Sequence, residues 1–184
     1  LFMGLGALKD AVPSLGTDSS IVQFFIDFKD VWYGPLMFVF LGALVTVVIQ
    51  SSSAAMALTM TMVAGGVIPF EVASAMILGE NIGTTITAEL ASLIGNVHAK
   101  RSARIHSMFN IVGVTWMLFL MPFFLSTIAY VMRTYFGVDP FDISNGEAAT
   151  LGLSAFHTVF NLTNVFLLIW FVPLLVKLAE RTVK

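Results

Sequence analysis

Two apolar runs, residues 36–49 and 54–66, flank four consecutive polar side chains: Gln50, Ser51, Ser52 and Ser53. Only Gly42 and Thr46 interrupt the first run, and the second carries no charge. A helix needs about 20 residues to cross a bilayer. Each run is too short alone, and together they exceed one crossing. With Gly34-Pro35 at the entry and Gly65-Gly66 and Pro69 at the exit, the pattern predicts a re-entrant hairpin over residues 34–66. The alternative is one straight helix whose serines bond back to carbonyls a turn earlier. Four adjacent hydrogen-bonding side chains occupy every face of a helix, so some would meet lipid. That favours a break lining a cavity.

The flanking pattern extends the picture. Residues 1–15 read as the end of a membrane helix, with Lys9 and Asp10 near its exit and Pro13 beyond. Residues 16–20 are loop-like, with Asp18, Ser19 or Ser20 as candidate caps. Residues 21–33 mix Phe, Ile and Val with Asp27, Lys29, Asp30, Trp32 and Tyr33, as in an interfacial amphipathic helix; these two segments make up 1–33. Residues 67–99 are apolar but contain Gly79-Glu80-Asn81-Ile82-Gly83-Thr84-Thr85, which predicts an interrupted transmembrane helix. The remainder, 100–184, holds two spanning helices at 105–132 and 150–176. They share an echo at an offset of 51 residues: His-x-x-Phe-Asn from His106 to Asn110 and from His157 to Asn161, each followed by a proline, Pro122 and Pro173. The two copies should run antiparallel, with the His and Asn serving helix packing.

Composition agrees. Of 184 residues, 58% are hydrophobic and 11% charged, against about 25% charged in soluble domains. The expected class is an all-α integral membrane protein. No basic stripe suggests nucleic acid, and the absence of Cys removes disulfides and thiolate metal sites. The first residues, LFMGLGALKD, are apolar without a basic leader, and the chain reads as a piece of a longer protein. Lys100, Arg101 and Arg104 and the terminal Lys177, Arg181 and Lys184 are separated by two crossings and fall on one side. The positive-inside rule makes that side cytoplasmic, so the hairpin enters from outside.

The candidate chemistry lies between Asp30 and Lys100, a stretch without Lys or Arg. Backbone N–H groups of Ser52, Ser53 and Ala54 would open the outgoing half-helix. Its positive end and the serine hydroxyls suit an oxyanion such as phosphate. Gln50 can donate or accept. Freed carbonyls around 79–83, the Asn81 side chain and the hydroxyls of Thr84 and Thr85 are oxygen ligands suited to Na⁺. Glu80 could hold a cation, carry a proton or cap a half-helix. A desolvated anion without a neighbouring cation is unfavourable, so anion and Na⁺ are expected to bind interdependently. Glu71 reads as interfacial and His98 as solvated. For Thr84, Thr85 and Thr87 the plain alternative is interhelical hydrogen bonding.

Gln50-Ser-Ser-Ser, followed about 27 residues later by Gly79-x-Asn-Ile-Gly-Thr-Thr, resembles the sodium/phosphate cotransporter family, the type II Na/Pi symporters and their bacterial relatives. The resemblance runs from about residue 34 to 173. It implies one of two inverted repeats, the second by preference, each with a re-entrant hairpin bearing a Gln-Ser-Ser-Ser tip. It also implies elevator-like transport. Gln50, Ser51, Ser52 and Ser53 would belong to the phosphate site. Gln50, Ser51, Asn81, Thr84 and Thr85, with Glu80, would belong to the sodium site. Many relatives have a small residue where this chain has Glu80, and many bacterial ones continue into a PhoU-like helical domain. The expected partners are phosphate, Na⁺ as coupling ion, the lipid bilayer of the cell membrane, and the first repeat or a second copy. No other cofactor and no enzymatic activity are expected. The rival readings are a proton- or sodium-coupled carrier of another small oxyanion and a phosphate-binding scaffold or sensor.

Overall fold

The structure, a computed structural model, describes residues 20–183. The helix end expected over residues 1–15, and Asp18 and Ser19 as caps, lie outside the described residues. The described chain is helical: α1 (Ser20–Lys29), α2 (Gly34–Ile49), α3 (Ser52–Ala64), α4 (Phe70–Ser92), α5 (Val97–Phe136), α6 (Gly146–Leu168), a 3₁₀ turn (Ile169–Phe171) and α7 (Val172–Thr182).

Local chemistry places these boundaries. Pro35 sits in the first turn of α2 and Pro69 precedes α4, where a missing N–H costs nothing. Asn96 caps α5 by accepting from Ala99 N at 2.9 Å, and Asn145 caps α6 by accepting from Ala148 N at 3.0 Å. Gly137, at φ 69°, ends α5 in the left-handed conformation that glycine adopts without a Cβ clash. Pro173 cannot donate to the Ile169 carbonyl, and the helix tightens there into the 3₁₀ turn.

α4 is the centre. Residues 72–80 are buried on every side, as in a helix with no solvent face. α2 crosses it backbone to backbone. A Cβ on Gly42 would strike the Met76 carbonyl, one on Gly79 the Val39 carbonyl, and one on Gly83 would lie 2.6 Å from Thr46 Cβ. The pairings Val39–Gly79 and Thr46–Gly83 advance together, so α2 and α4 run parallel. Lys29, just before α2, also meets Glu71 at the start of α4, at 3.3 Å. Between two parallel helices α3 must run back, and it does: α2, the tip at 50–51 and α3 form a helical hairpin. At 1.5 Å per residue its arms are about 24 and 20 Å long, short of a hydrocarbon core of about 30 Å.

The interrupted helix expected over 67–99 is not what the structure shows: α4 is continuous through Gly79–Gly83. Their small size admits α2 rather than loosening α4. With Gly79 and Gly83 four apart, they form the small-residue stripe that lets membrane helices touch.

α5 and α6 are antiparallel, as expected for the echoed segments: Gly113 and Trp116 meet Asn164, while Met132 meets Gly152. Phe38, Phe70, Ile77, Met117, Leu153, Phe156 and Phe160 fill the space between helices. Large apolar side chains also cover the outside, among them Phe40, Val48, Phe119, Phe123, Phe166 and Trp170. A solvent-exposed surface of that kind is costly in water, and Val97–Phe136 and Gly146–Thr182 are each long and apolar enough to cross a bilayer. This is a membrane protein. The two basic segments share one end: Arg101 Nε donates to the Val183 carbonyl at 3.2 Å and its guanidinium lies 3.6 Å from Glu180. The loop at 138–145, which bears Asp139 and Asp142, closes the other end, where Arg133 pairs with Asp139 at 2.7 Å.

Two predictions follow from this packing. Gly79→Ala should destabilise the intact protein by about 1–3 kcal/mol, the usual cost of overpacking. Gly65→Ala, whose Cβ would meet nothing closer than 3.4 Å, should change stability by less than about 0.5 kcal/mol; thermal unfolding in detergent compares them. For Asp139, partial burial raises the carboxyl, but the Arg133 hydrogen bond, the Phe141 N–H and the Arg133 charge hold it below the ordinary range. Its stabilisation is therefore complete above about pH 4 and is lost as pH falls through the lowered native value. Asp139→Asn should be less stable than wild type at neutral pH, with the difference vanishing in acid.

Candidate functional site at the hairpin tip

The tip is made by two helix ends meeting. Gln50 terminates α2 at φ 57°, ψ 25°, its N–H bonded to the Thr46 carbonyl at 2.8 Å. It is the one non-glycine residue at positive φ among the described residues, a conformation costing roughly 1–2 kcal/mol. Ser51 is extended, at φ −148°, and starts α3 as its N-cap: its Oγ accepts from Ala54 N at 3.3 Å and lies 3.3 Å from Ser53 Oγ. The expected trio of free N–H groups is thus reduced, because Ala54 N–H is already capped. Those of Ser52 and Ser53 have no carbonyl a turn behind them. Gln50, Ser52 and Ser53 are exposed and Ser51 is half-buried.

The tip therefore presents two opposite partial charges. The last carbonyls of α2 carry the negative end of one dipole, and the first N–H groups of α3 the positive end of another. An oxyanion fits the second and a hard cation the first.

The polar group on α4 is placed by register. Thr46 faces Gly83, so Gln50 stands level with about residue 87, and Thr84 and Thr85 lie roughly 3–5 Å below it along the axis. Thr84 Oγ1 donates to the Glu80 carbonyl at 2.8 Å, Thr85 Oγ1 to the Ile82 carbonyl at 2.8 Å, and Asn81 Nδ2 to the Ile77 carbonyl at 3.2 Å. The carbonyls expected to be free around 79–83 are therefore engaged in the continuous helix, which corrects that part of the sodium-site reading. What stays available is acceptor capacity: Asn81 Oδ1 and hydroxyl lone pairs. Among the described residues no hydrogen bond joins the tip to Asn81, Thr84 or Thr85.

Glu80 faces α3 rather than the tip. It is 2% exposed and accepts at 2.6 Å from Thr59 Oγ1 on α3. Thr59 drew no notice in the sequence, being one of two threonines, with Thr61, in an otherwise apolar run. Asn164 was missed too; its Oδ1 accepts from Trp116 Nε1 at 3.1 Å and it seats against Gly113. Its spacing of three from Asn161 was the available signal. The echoed Asn110 and Asn161 bond to the carbonyls of His106 and His157, at 3.0 and 2.8 Å. The shared motif locks each helix to itself rather than to its neighbour. Glu71 pairs with Lys29, and Glu89 accepts from Arg104 and Ser107, each at 2.9 Å. Among the described residues no group of three or more His, Cys, Asp or Glu is placed to hold a metal.

A helical hairpin carrying a serine-lined tip, packed into a bundle whose exterior is apolar, is the fold of a helical membrane protein. Comparison with known proteins gives the group. The family model described as Na⁺/Pi-cotransporter matches residues 1–138, and the chain belongs to that family. It is 32% identical over 163 residues to human sodium-dependent phosphate transport protein 2B, covering 81% of this chain and 23% of the relative. It is 36% identical over 91 residues to the uncharacterized protein YqeW of Bacillus subtilis, covering 50% of this chain and 29% of the relative. It is 28% identical over 144 residues to the putative inorganic phosphate export protein YjbB of Salmonella typhimurium, 78% of this chain and 24% of the relative. The chain thus spans about a quarter of the length of these curated relatives. No solved structure matches it.

Gln50→Gly should leave the fold intact and raise stability by up to about 1 kcal/mol, because glycine adopts positive φ freely. Gln50→Ile should lower it by more than 1 kcal/mol, since a β-branched residue is a genuine outlier there. Thermal unfolding of both variants in detergent reads the difference.

Proposed function

We propose that this chain supplies one half of a sodium-coupled symporter of inorganic phosphate. The observation that carries the reading is the break at Gln50–Ser51, which turns the N-terminus of α3 and its serines outward at the end of an apolar hairpin. Ser52 and Ser53 donate to phosphate through backbone N–H and hydroxyl, Ser51 holds the tip in shape, and Gln50 orients an oxygen of the anion or a sodium ion. Asn81, Thr84 and Thr85 contribute acceptor oxygens on the sodium side. Family membership supports phosphate as the anion, and the absence of any Lys or Arg between Asp30 and Lys100 supports the coupling. A dianion leaving water without a fixed protein cation needs mobile ones, so Na⁺ and phosphate bind as a set.

In this reading the hairpin is re-entrant from outside, the end bearing Arg101 and Val183 is cytoplasmic, and the exposed tip completes its site against a second, inverted tip supplied by the rest of the polypeptide. Hairpin arms shorter than the hydrocarbon core and the sharing of one end by both basic segments support this arrangement.

The test is uptake and counterflow of labelled phosphate by the intact protein in proteoliposomes. Replacing Na⁺ with choline should abolish both. Hydrogen bonds to a charged group contribute about 1.5–3 kcal/mol each. Ser52→Ala with Ser53→Ala should therefore weaken phosphate binding by at least about 100-fold while leaving the helical signal unchanged. Unaltered binding in that double variant removes the tip from the site, and binding without counterflow makes the protein a sensor.

A further inference from the structure

At the end of the bundle that carries the loop at 138–145, a cavity of about 300 Å³ opens where the α1–α2 turn, the start of α4 and the middle of α5 meet. Part of its lining is charged: Lys29 lies 3.3 Å from Glu71 and 3.4 Å from Asp30. The rest is largely apolar, with Leu118, Met121 and Leu125 of α5 and Phe141 of the loop. The charged group is loosely closed. Arg133 reaches Asp139 at 2.7 Å and Arg104 reaches Glu89 at 2.9 Å, the ordinary length of a charge-assisted hydrogen bond. Lys29 holds neither of its carboxylates that closely, and one of its three N–H donors is left over.

Two more polar groups line the same cavity. Pro122 has no N–H to give the Leu118 carbonyl one turn behind it, and both residues are in the lining. Among the described residues Ser126 Oγ finds no hydrogen-bond partner, whereas Thr127 beside it donates to the Phe123 carbonyl at 2.8 Å. One ammonium and two carboxylates leave the cluster with an excess negative charge, carried outward by Asp30, whose side chain is 80% exposed. Arg133 does not offset it: it lies 5.8 Å from the Phe141 ring centroid and is matched by Asp139. Trp32 and Tyr33, both exposed, follow Asp30 closely in the chain and mark headgroup level. From Leu118 toward the Arg101 end the α5 surface continues apolar and exposed through Phe119, Val112 and Ile111.

We propose that this cavity binds the headgroup of an aminophospholipid, phosphatidylethanolamine, from the leaflet opposite the Arg101 end. The primary ammonium of the lipid meets the excess carboxylate of Asp30, and its remaining hydrogens go to Ser126 Oγ and the Leu118 carbonyl. The phosphodiester accepts the spare N–H of Lys29, which keeps Glu71 as its protein partner. The acyl chains lie along α5 over Phe119 and Ile111. A choline headgroup carries the same charge but has no N–H to give, and an anionic headgroup would meet two carboxylates without bringing a cation. The bound lipid joins the entry of the hairpin to α5, at the end of the bundle away from the serine tip, and needs nothing that the tip carries.

The experiment is thermal unfolding of the intact protein in detergent, at fixed Na⁺ and without inorganic phosphate, as lipids with identical chains are added. Phosphatidylethanolamine should raise the unfolding temperature as a specific ligand does, with the dose set by its dissociation constant. Its apparent affinity should exceed those of phosphatidylcholine and phosphatidylglycerol by about ten-fold or more, the loss expected when a hydrogen bond to a charged group is not made. Asp30→Asn, at an exposed side chain, should fold and lose that preference. Ser126→Phe, which fills the cavity from an exposed position, should abolish the response to phosphatidylethanolamine and carries the test alone if Asp30→Asn does not fold. Equal stabilisation by the three lipids, or an unchanged preference in either variant, overturns the proposal. So does an alkylamine of the same chain length that stabilises as well as phosphatidylethanolamine, since the cavity would then read an ammonium alone and not a phospholipid.

Discussion

The contact on which the structure depends is the parallel crossing of α2 over α4, in which main chains touch at Gly42, Gly79 and Gly83. In lipid, apolar side chains gain nothing by leaving an apolar solvent, so close van der Waals approach is what holds helices together. Three missing side chains supply that approach. Once α2 and α4 are fastened in parallel, α3 has no course except back between their ends. The turn needed to start that return falls on Gln50 and Ser51. The polar tip is thus positioned by residues that are neither polar nor at the tip.

The same solvent dictates how polar groups are handled. Most helical hydroxyls, such as Thr46, Ser74, Thr84 and Thr158, close on carbonyls of their own helices, which satisfies the donor where no water can. Helix ends cannot do this, and one such pair of ends meets where α2 stops and α3 begins. That turn sets a carbonyl-rich helix end beside an N–H-rich one. Lys29 at the opposite end of the hairpin shows the alternative for a charged group: burial lowers its ammonium, yet Glu71 and Asp30 outweigh that and hold it above its ordinary value.

Much of this was legible in the chain. The hairpin could be read because Gln50, Ser51, Ser52 and Ser53 divide an apolar stretch too long for one crossing and too short for two. The cluster at 79–85 was misread for a physical reason. Glycine both loosens a helix and lets a neighbour in, and which effect wins depends on whether a partner with a matching gap exists. Gly42 is that partner, 37 positions upstream of Gly79, and periodicity within one helix cannot reveal it. The repeated His-x-x-Phe-Asn pattern invited a shared interface, whereas Asn110 and Asn161 turn back on their own backbones. Thr59 and Asn164 were hidden because an uncharged polar residue within an apolar helix does not reveal its partner until the neighbouring helix is known.

The glycine crossing also bears on how such a chain can diverge. In a water-soluble core the large residues are the hard ones to replace, because they fill the space. Here many bulky side chains, Phe40, Phe119 and Phe166 among them, point outward into a fluid that accepts any apolar shape, and these are free to drift among their kind. The positions that resist change are the barest ones: adding one methyl group at Gly42 or Gly79 would part the two helices and shift every atom of the loop they carry.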